Sequence, residues 1–372
     1  MFFSVDRETL RWTQKTLSRA RRSGNWSAVF AREACWTPEV FAALVDEHDR
    51  LLLEGQIEKA GQIGPELPRL AERIRANLCP SQELGKNSVV VWALAVAGST
   101  WRASGAPQEA EASFSAASEK AKAGVFPWAR AELDKRFAVH LLHSKSRQAF
   151  VRANEAIAGF AGFPDPLAEA FNLRGVCRAA LDRDSSGAIL DFAAAAALSD
   201  PTRSERSGWA LQAASHNLAV QLIHGEPCSL ESLSQARKLV ISSREALGQG
   251  LDVRKLRSLW VEGLLVYRIG WNRHGERLLE RARQGFLKLG CNEEYTVTSL
   301  DLVVMLIGDG ETARAEQLYR EIGDRLSGLA GTPAPAWVET RVDLDQVELL
   351  RGQLVEKLRR LTTRAESRRA LL

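Results

Sequence analysis

The sequence predicts an all-α protein assembled from antiparallel helix hairpins, and three observations carry that expectation. Only 12 prolines occur in 372 residues. Alternating Val, Ile and Thr runs of the kind that make strands are scarce. Small and apolar residues instead recur every three or four positions, in successive units of similar length. The clearest unit runs from Pro166 to Pro201, PLAEAFNLRGVCRAALDRDSSGAILDFAAAAALSDP. Leu167, Phe171, Gly175 and Val176 or Ala179 fall on one face of its first helix, with Asp165 as a cap and Pro166 in the first turn. The segment 183–187 breaks the pattern. Ala188, Phe192 and Ala195 restart it at i, i+4 and i+7, and Pro201 ends it. Gly175 lets a neighbouring helix approach, and Phe192 is the peg that fills the space.

The rest of the chain is taken in order. VDRETLRWTQKTLSRARRSG predicts a helix from about Asp6 to Arg22, with Arg7, Arg11, Lys15, Arg19 and Arg22 as one basic stripe. Thr37-Pro38 is a helix start, and TPEVFAALVDEHDRLLLEG runs to Gly55. The helix after it is bent or shortened by Pro65 and Pro68, and 79–87 reads as a loop. In 88–123, Leu94, Gly98, Trp101, Gly105, Ala110, Phe114 and Ala117 repeat the large-and-small pattern. A weaker copy at 128–160 keeps Ala149, Ala153 and Ala156 but loses the glycine of the first helix. Further copies occupy 206–242, 256–290 (Gly263, Tyr267, Gly270, Leu279, Ala282) and 295–323 (Gly310, Ala315, Tyr319, Ile322). After the TPAP break at 332–335, two helices at roughly 336–351 and 353–369 are expected to cap the end.

These units resemble the tetratricopeptide repeat (TPR), bacterial type, whose period is about 34 residues. The resemblance is most complete over 88–123, 166–201 and 256–323, and absent from 1–36. It implies a right-handed superhelical array of hairpins, a TPR-like α-solenoid in which each hairpin buries a face on the next. Three regions follow: a basic N-terminal helix and connection at 1–36, the repeat array at 37–331, and capping helices at 332–372. In the family, ligand peptides lie along a concave groove lined by the first helix of each hairpin. That register points to Trp92, Arg102, Asn172, His216, Arg257, Trp260, Leu264, Tyr267 and Arg268 as groove residues, with Ser99, Val176 and Val220 beside them. Aromatic and Arg residues together are typical of interaction hot spots, although Trp260 and Tyr267 serve equally well as packing between hairpins. The Lys/Asn/Arg constellation with which some members clamp a C-terminal carboxylate is missing.

Composition fits a folded soluble chain, 45% apolar and 26% charged. The apolar run VVVWALAVAG at 89–98 is too short for a membrane span. No secretory signal opens the chain. Five cysteines, far apart and never in a CxxC pair, read as reduced thiols in the cytoplasm. Net charge is +4 and uneven: residues 1–36 hold seven Arg/Lys against three Asp/Glu, and residues 351–372 hold seven against two. The N-terminal stripe is a solvated face in one reading and a nucleic-acid contact in the other.

Little catalytic chemistry is legible. His140 and His143, or His216 and His224, would need further ligands to hold a metal, and Cys177 sits among packing residues. No phosphate loop, nucleophile elbow or HExxH is present. The expected function is a non-catalytic scaffold, adaptor or regulator that binds another protein or peptide, with no cofactor and no membrane. The alternative is a nucleic-acid-associated regulator using the basic ends.

Overall fold

A computed structural model describes residues 7–23, 25–31, 37–78, 83–142, 144–181, 185–224, 229–245 and 253–331. Among the described residues all regular structure is helical. The chain divides into two compact units, 1–214 and 215–372, each described by itself below. The expected capping helices of 332–372 lie outside the described residues.

The first unit opens with α1 (Arg7–Ser23), the short α2 (Ser27–Phe30) and α3 (Pro38–Leu53). Thr37 caps α3 as expected, its Oγ1 accepting from the Val40 amide at 3.3 Å. The prolines break the next segment into α4 (Ile57–Gly61), a 3-10 turn at Gly64–Glu66 and α5 (Leu67–Asn77). Three hairpins follow: α6 (Glu83–Ala103) with α7 (Pro107–Ala121), α8 (Pro127–Leu141) with α9 (Ser146–Gly159), and α10 (Pro164–Leu181) with α11 (Ser185–Leu198). Helix α12 (Glu205–His224) carries the boundary at 214/215. The second unit continues with α13 (Leu230–Glu245), the hairpin α14 (Val253–Arg268) with α15 (Asn272–Lys288), and α16 (Asn292–Gly308) with α17 (Thr312–Gly331).

The reversal between helices is made by one recurring device. At the end of α6, the Gly105 amide donates to the Arg102 carbonyl at 3.1 Å and the Ala106 amide to Trp101 at 2.8 Å, with φ of 75° at Gly105. This is a Schellman stop, and its left-handed residue disfavours any side chain. Gly270 with Trp271, Gly290 with Cys291 and Gly310 with Glu311 repeat the pair of bonds. The residue after the glycine then receives the first amide of the next helix, as when Gly275 donates to Trp271 at 3.0 Å. So short a link leaves the following helix no course but to double back.

Within a hairpin, small residues on the first helix receive a bulky one from the second. A Cβ built on Gly175 would lie 2.6 Å from the Phe192 ring, and one on Gly98 would lie 2.8 Å from Phe114. Phe192 and Phe114 are both fully buried. In the copy without a first-helix glycine the roles reverse: a Cβ on Gly159 of α9 would meet Ala131 of α8 at 2.8 Å. Phe114 goes on to stack on Phe137 of the next hairpin, with centroids 4.9 Å apart and planes at 9°. Apolar contact of this kind supplies most of the stability of a stacked helical array.

Two boundaries differ from the sequence reading. The expected loop at 79–87 is helical from Glu83, because its polar residues hold down the connection before α8. Ser88 Oγ accepts from the Phe126 amide at 2.8 Å, and Asn87 Nδ2 donates to the Gly124 carbonyl at 3.3 Å. Helix α10 begins at Pro164, so Asp165 lies inside the first turn and does not cap it. Its carboxylate instead accepts from Arg203 Nη1 at 2.8 Å and Ser204 Oγ at 2.7 Å, just ahead of α12.

Candidate functional site

In the second unit the candidate groove residues sit on α12 and on α14, the first helix of its hairpin. They are joined to each other and to α16 by polar contacts. His216 and Trp260 have ring centroids 5.6 Å apart. Trp260 Nε1 donates to Asp301 Oδ2 at 2.8 Å, and Arg257 Nη2 pairs with Glu294 Oε1 at 2.5 Å. Tyr267 donates from its hydroxyl toward the Met305 carbonyl and Asp309 Oδ1, both at 3.2 Å. Trp260 and Tyr267 therefore brace α14 against α16. Leu264 is only 5% exposed and belongs to the packed interior, whereas Arg257 and Arg268 are exposed. Burial, assisted by the Arg257 charge, pushes His216 down to about 3, so its ring is neutral at ordinary pH. Burial and then the Asp309 carboxylate push Tyr267 up to about 12. The surface is one of hydrogen bonds and aromatic faces.

In the first unit, Trp92 of α6 lies edge-on between Phe41 of α3 and Trp128 of α8, at centroid distances of 5.3 and 5.1 Å. Its Nε1 is buried with no hydrogen-bond partner. Arg102 is exposed at the end of α6, and Asn172 is half-buried on α10.

The most concentrated chemistry of the unit lies where sequence reading did not look. Charged side chains from α3, α8, α10 and the start of α12 converge into one network. Arg136 of α8 holds Asp49 of α3 through two bonds, Nη1 to Oδ1 at 2.9 Å and Nη2 to Oδ2 at 2.5 Å, and its Nε reaches Glu132 at 3.3 Å. Glu132 also pairs with Lys135 at 3.1 Å and with Arg206 of α12 at 3.1 Å. Glu169 of α10 takes Lys135 at 2.5 Å and Arg206 at 2.6 and 2.7 Å. Burial alone would raise all three carboxyls. The Arg136 charge holds Asp49 well below the usual range, and Lys135, Arg206 and Arg136 hold Glu132 down. Arg206 and Lys135 bring Glu169 to about 2. Asp46, one turn before Asp49, behaves otherwise. Its side chain is exposed, yet its carboxyl is raised, first by burial, against the pull of Arg206 and Arg136.

The signal for this network was present in α8. Its buried stretch reads Glu132, Leu133, Asp134, Lys135, Arg136, where the equivalent helix α6 is apolar. Four charged residues within five positions of a helix that must be buried between neighbours require partners from elsewhere.

The other candidate chemistry is quiet. Among the described residues no group of three or more His, Cys, Asp or Glu is placed to hold a metal ion. His140 is bonded to Glu111 at 3.0 Å and lowered by burial; His143 lies outside the described residues, as does the side chain of His224. Burial pushes the Cys177 thiol up to about 11, which suits an inert packed residue. On α1, Lys15, Arg19 and Arg22 are exposed, and the side chains of Arg7 and Arg11 lie outside the described residues. No described helix is long and apolar enough to cross a membrane.

No family model and no curated protein matches the chain. Solved structures do. A Rap protein complexed with competence and sporulation factor is similar over 88% of this chain and 93% of its own, with a TM-score of 0.61 at 12% identity. The apo form of RapI is similar over 86% of this chain and 85% of its own, with a TM-score of 0.50 at 13% identity. At such identities the likeness is one of fold, and the fold is an array of helix hairpins.

Proposed function

We propose that this chain is a non-catalytic regulator that binds a peptide or a protein segment on the first-helix faces of its hairpins, in the cytoplasm. The observation that carries the reading is a run of polar and aromatic contacts that passes from one first helix to the next within each unit. Arg136 of α8 meets Asp49 of α3 and Lys135 of α8 meets Glu169 of α10 in one unit, and His216, Trp260 and Asp301 meet in the other. Second helices also bury charge, at Asp191 and Arg283. A continuous line of polar and aromatic groups along the first helices suits recognition of an extended polar chain. The similar Rap structure bound to competence and sporulation factor supports the same use of the fold. Carboxylates held low by cations, a neutral histidine and a raised thiol fit a binding surface better than a catalytic centre.

The test is affinity capture with the tagged protein from its native host, with and without nuclease and at two salt concentrations, followed by calorimetry on the captured species. A stoichiometric partner that survives nuclease and salt, and binds at least tenfold more weakly to a Trp260→Ala, Arg268→Glu variant that circular dichroism shows to be still folded at the assay temperature, is the expected result. Unchanged binding by that variant would remove the α14 face from the surface. Nucleic acid eluting with rising salt, and no protein partner, would overturn the reading.

A further inference from the structure

The solvent face of α15, the second helix of its hairpin, carries charge of one sign. Arg273, Arg277, Arg281 and Lys288 are exposed, and among the described residues none of them forms a hydrogen bond or an ion pair. Their spacing places them within about a quarter of the helix circumference and along about 22 Å of its length, with successive arginines about 6 Å apart. The neighbouring second helix α17 is arranged otherwise. There Arg314 pairs with Glu311 at 2.5 Å and Arg320 with Glu316 at 3.8 Å, each carboxylate three or four residues away. On α15 the residue four positions from Arg277 is another arginine in both directions. Like charges at that spacing work against a helix, so the stripe does not stabilise α15. The carboxylates of α15 are committed elsewhere: Glu276 to Arg314 of α17, and Glu280 to Arg283 at 2.7 Å. An apolar group stands at the head of the stripe. Trp271 is 65% exposed and Ile269 45%. Trp271 serves the turn through its backbone, its amide donating to the Val266 carbonyl at 3.1 Å and its carbonyl accepting from Gly275 at 3.0 Å. Ala106, Cys291 and Glu311 fill the same place in other turns, so the turn needs no indole.

We propose that this face of α15 binds an acidic amphipathic helix of a partner protein, whose carboxylates meet the stripe and whose apolar side chains cover Trp271 and Ile269. The surface is separate from the first-helix residues of α14 and adds a second partner to them. Charge complementarity selects the occupant. A helix with Asp or Glu at every fourth position repeats about every 6 Å, the spacing of Arg273, Arg277 and Arg281, so one such helix meets them in register. Its charge removes the repulsion between the arginines, and the exposed indole supplies the apolar anchor that a charged contact alone lacks. Width argues against a polyanion. The stripe is one helix wide, bordered by Glu276 and Glu280, with Glu321 exposed beyond them on α17. A nucleic-acid duplex or an anionic bilayer is broader than one helix and would lie over these carboxylates as well.

The test pans the full chain against a displayed library of helical peptides about five turns long, with Glu fixed at every fourth position and the remaining positions varied. The best binder is synthesised, and its affinity is read by fluorescence anisotropy for the wild type, for Arg277→Glu with Arg281→Glu, for the same pair changed to Gln, and for Trp271→Ala. Duplex DNA and phosphatidylglycerol vesicles serve as competitors. The expected pattern is a loss of tenfold or more with the Glu pair, a smaller loss with the Gln pair and with Trp271→Ala, and recovery when the Glu pair meets a peptide with two of its Glu changed to Lys. The unliganded variants are expected to melt no lower than the wild type, because the side chains they remove have no partner. Melting temperatures lowered in both the Glu and the Gln pairs would make the stripe structural and overturn the proposal. Equal affinity for the wild type and the Glu pair would place the peptide elsewhere and overturn it too. Displacement of the peptide by duplex DNA or vesicles at equal charge concentration would overturn the choice of occupant. Failure of every library peptide to bind overturns the proposal and leaves the first-helix reading, which the Trp260→Ala, Arg268→Glu variant tests, where it stood.

Discussion

Replacing Glu169 with Gln tests the charged network most directly. Glu169 accepts from Lys135 at 2.5 Å and from Arg206 at 2.6 and 2.7 Å, and its side chain keeps 28% of its exposure. Burial would raise its carboxyl, but Arg206 and Lys135 take it from 4.5 to about 2. At about 1.4 kcal/mol per unit, that displacement is worth about 3 kcal/mol, and partial solvation brings the expectation to roughly 2 kcal/mol. On acidification the unfolded chain takes up this proton first. The stabilisation is therefore complete above about pH 4.5 and is lost as the pH falls through about 2. Glu169→Gln is expected to be about 2 kcal/mol less stable than the wild type at pH 7, measured by urea denaturation followed by circular dichroism. The gap is expected to narrow by about 1 kcal/mol at pH 3.5, where the unfolded state of the wild type is already mostly protonated. Asp49 and Glu132 are also held low, so both proteins weaken in acid. The difference between them is the quantity that reports on Glu169. A Gln variant as stable as the wild type at pH 7, or a gap that ignores pH, would refute the reasoning.

Three further outcomes are expected. Gly175→Leu forces atoms into the Phe192 ring and is expected to cost at least about 2 kcal/mol in thermal melts, with part of it recovered by adding Phe192→Ala. Trp260→Phe removes the donor to Asp301 and is expected to cost about 1 kcal/mol in the same assay; no loss would show that this bond does not brace α14 against α16. Cys177, raised to about 11, is expected to resist iodoacetamide in the folded protein at pH 8 while half-buried Cys291 reacts, as read by peptide mass spectrometry; faster labelling of Cys177 would contradict its packing.

How much of this was legible in the sequence depended on how far apart the interacting residues lie. The hairpins could be read because Gly98 and Phe114, or Gly175 and Phe192, meet within one unit, and because the glycine stops act over six residues. The candidate groove residues of α14 share one helix, as their spacing implies, but their contacts to Asp301, Glu294 and Asp309 cross to the next pair and give no local sign. The charged network is the extreme case. Arg136 meets Asp49 across 87 positions, and Arg206 meets Glu132 across 74. Read alone, Glu132, Lys135 and Arg136 have the ordinary spacing of a solvated helix face. Only stacking reveals that they are interior, and so must be paired.

The same network gives the hairpins an address. Gly98 with Phe114 and Gly175 with Phe192 are one lock used twice, so apolar packing alone would let α6–α7 and α10–α11 trade places. The charges forbid it. Glu169 matches Lys135 on one side and Arg206 on the other, and the apolar face of α6 offers neither neighbour a carboxylate in that place. A chain whose repeats had changed order, or had swapped with those of a second copy during folding, would strand Lys135 and Arg206 with half their partners missing. Repeats that look alike to the hydrophobic effect are thus numbered by electrostatics.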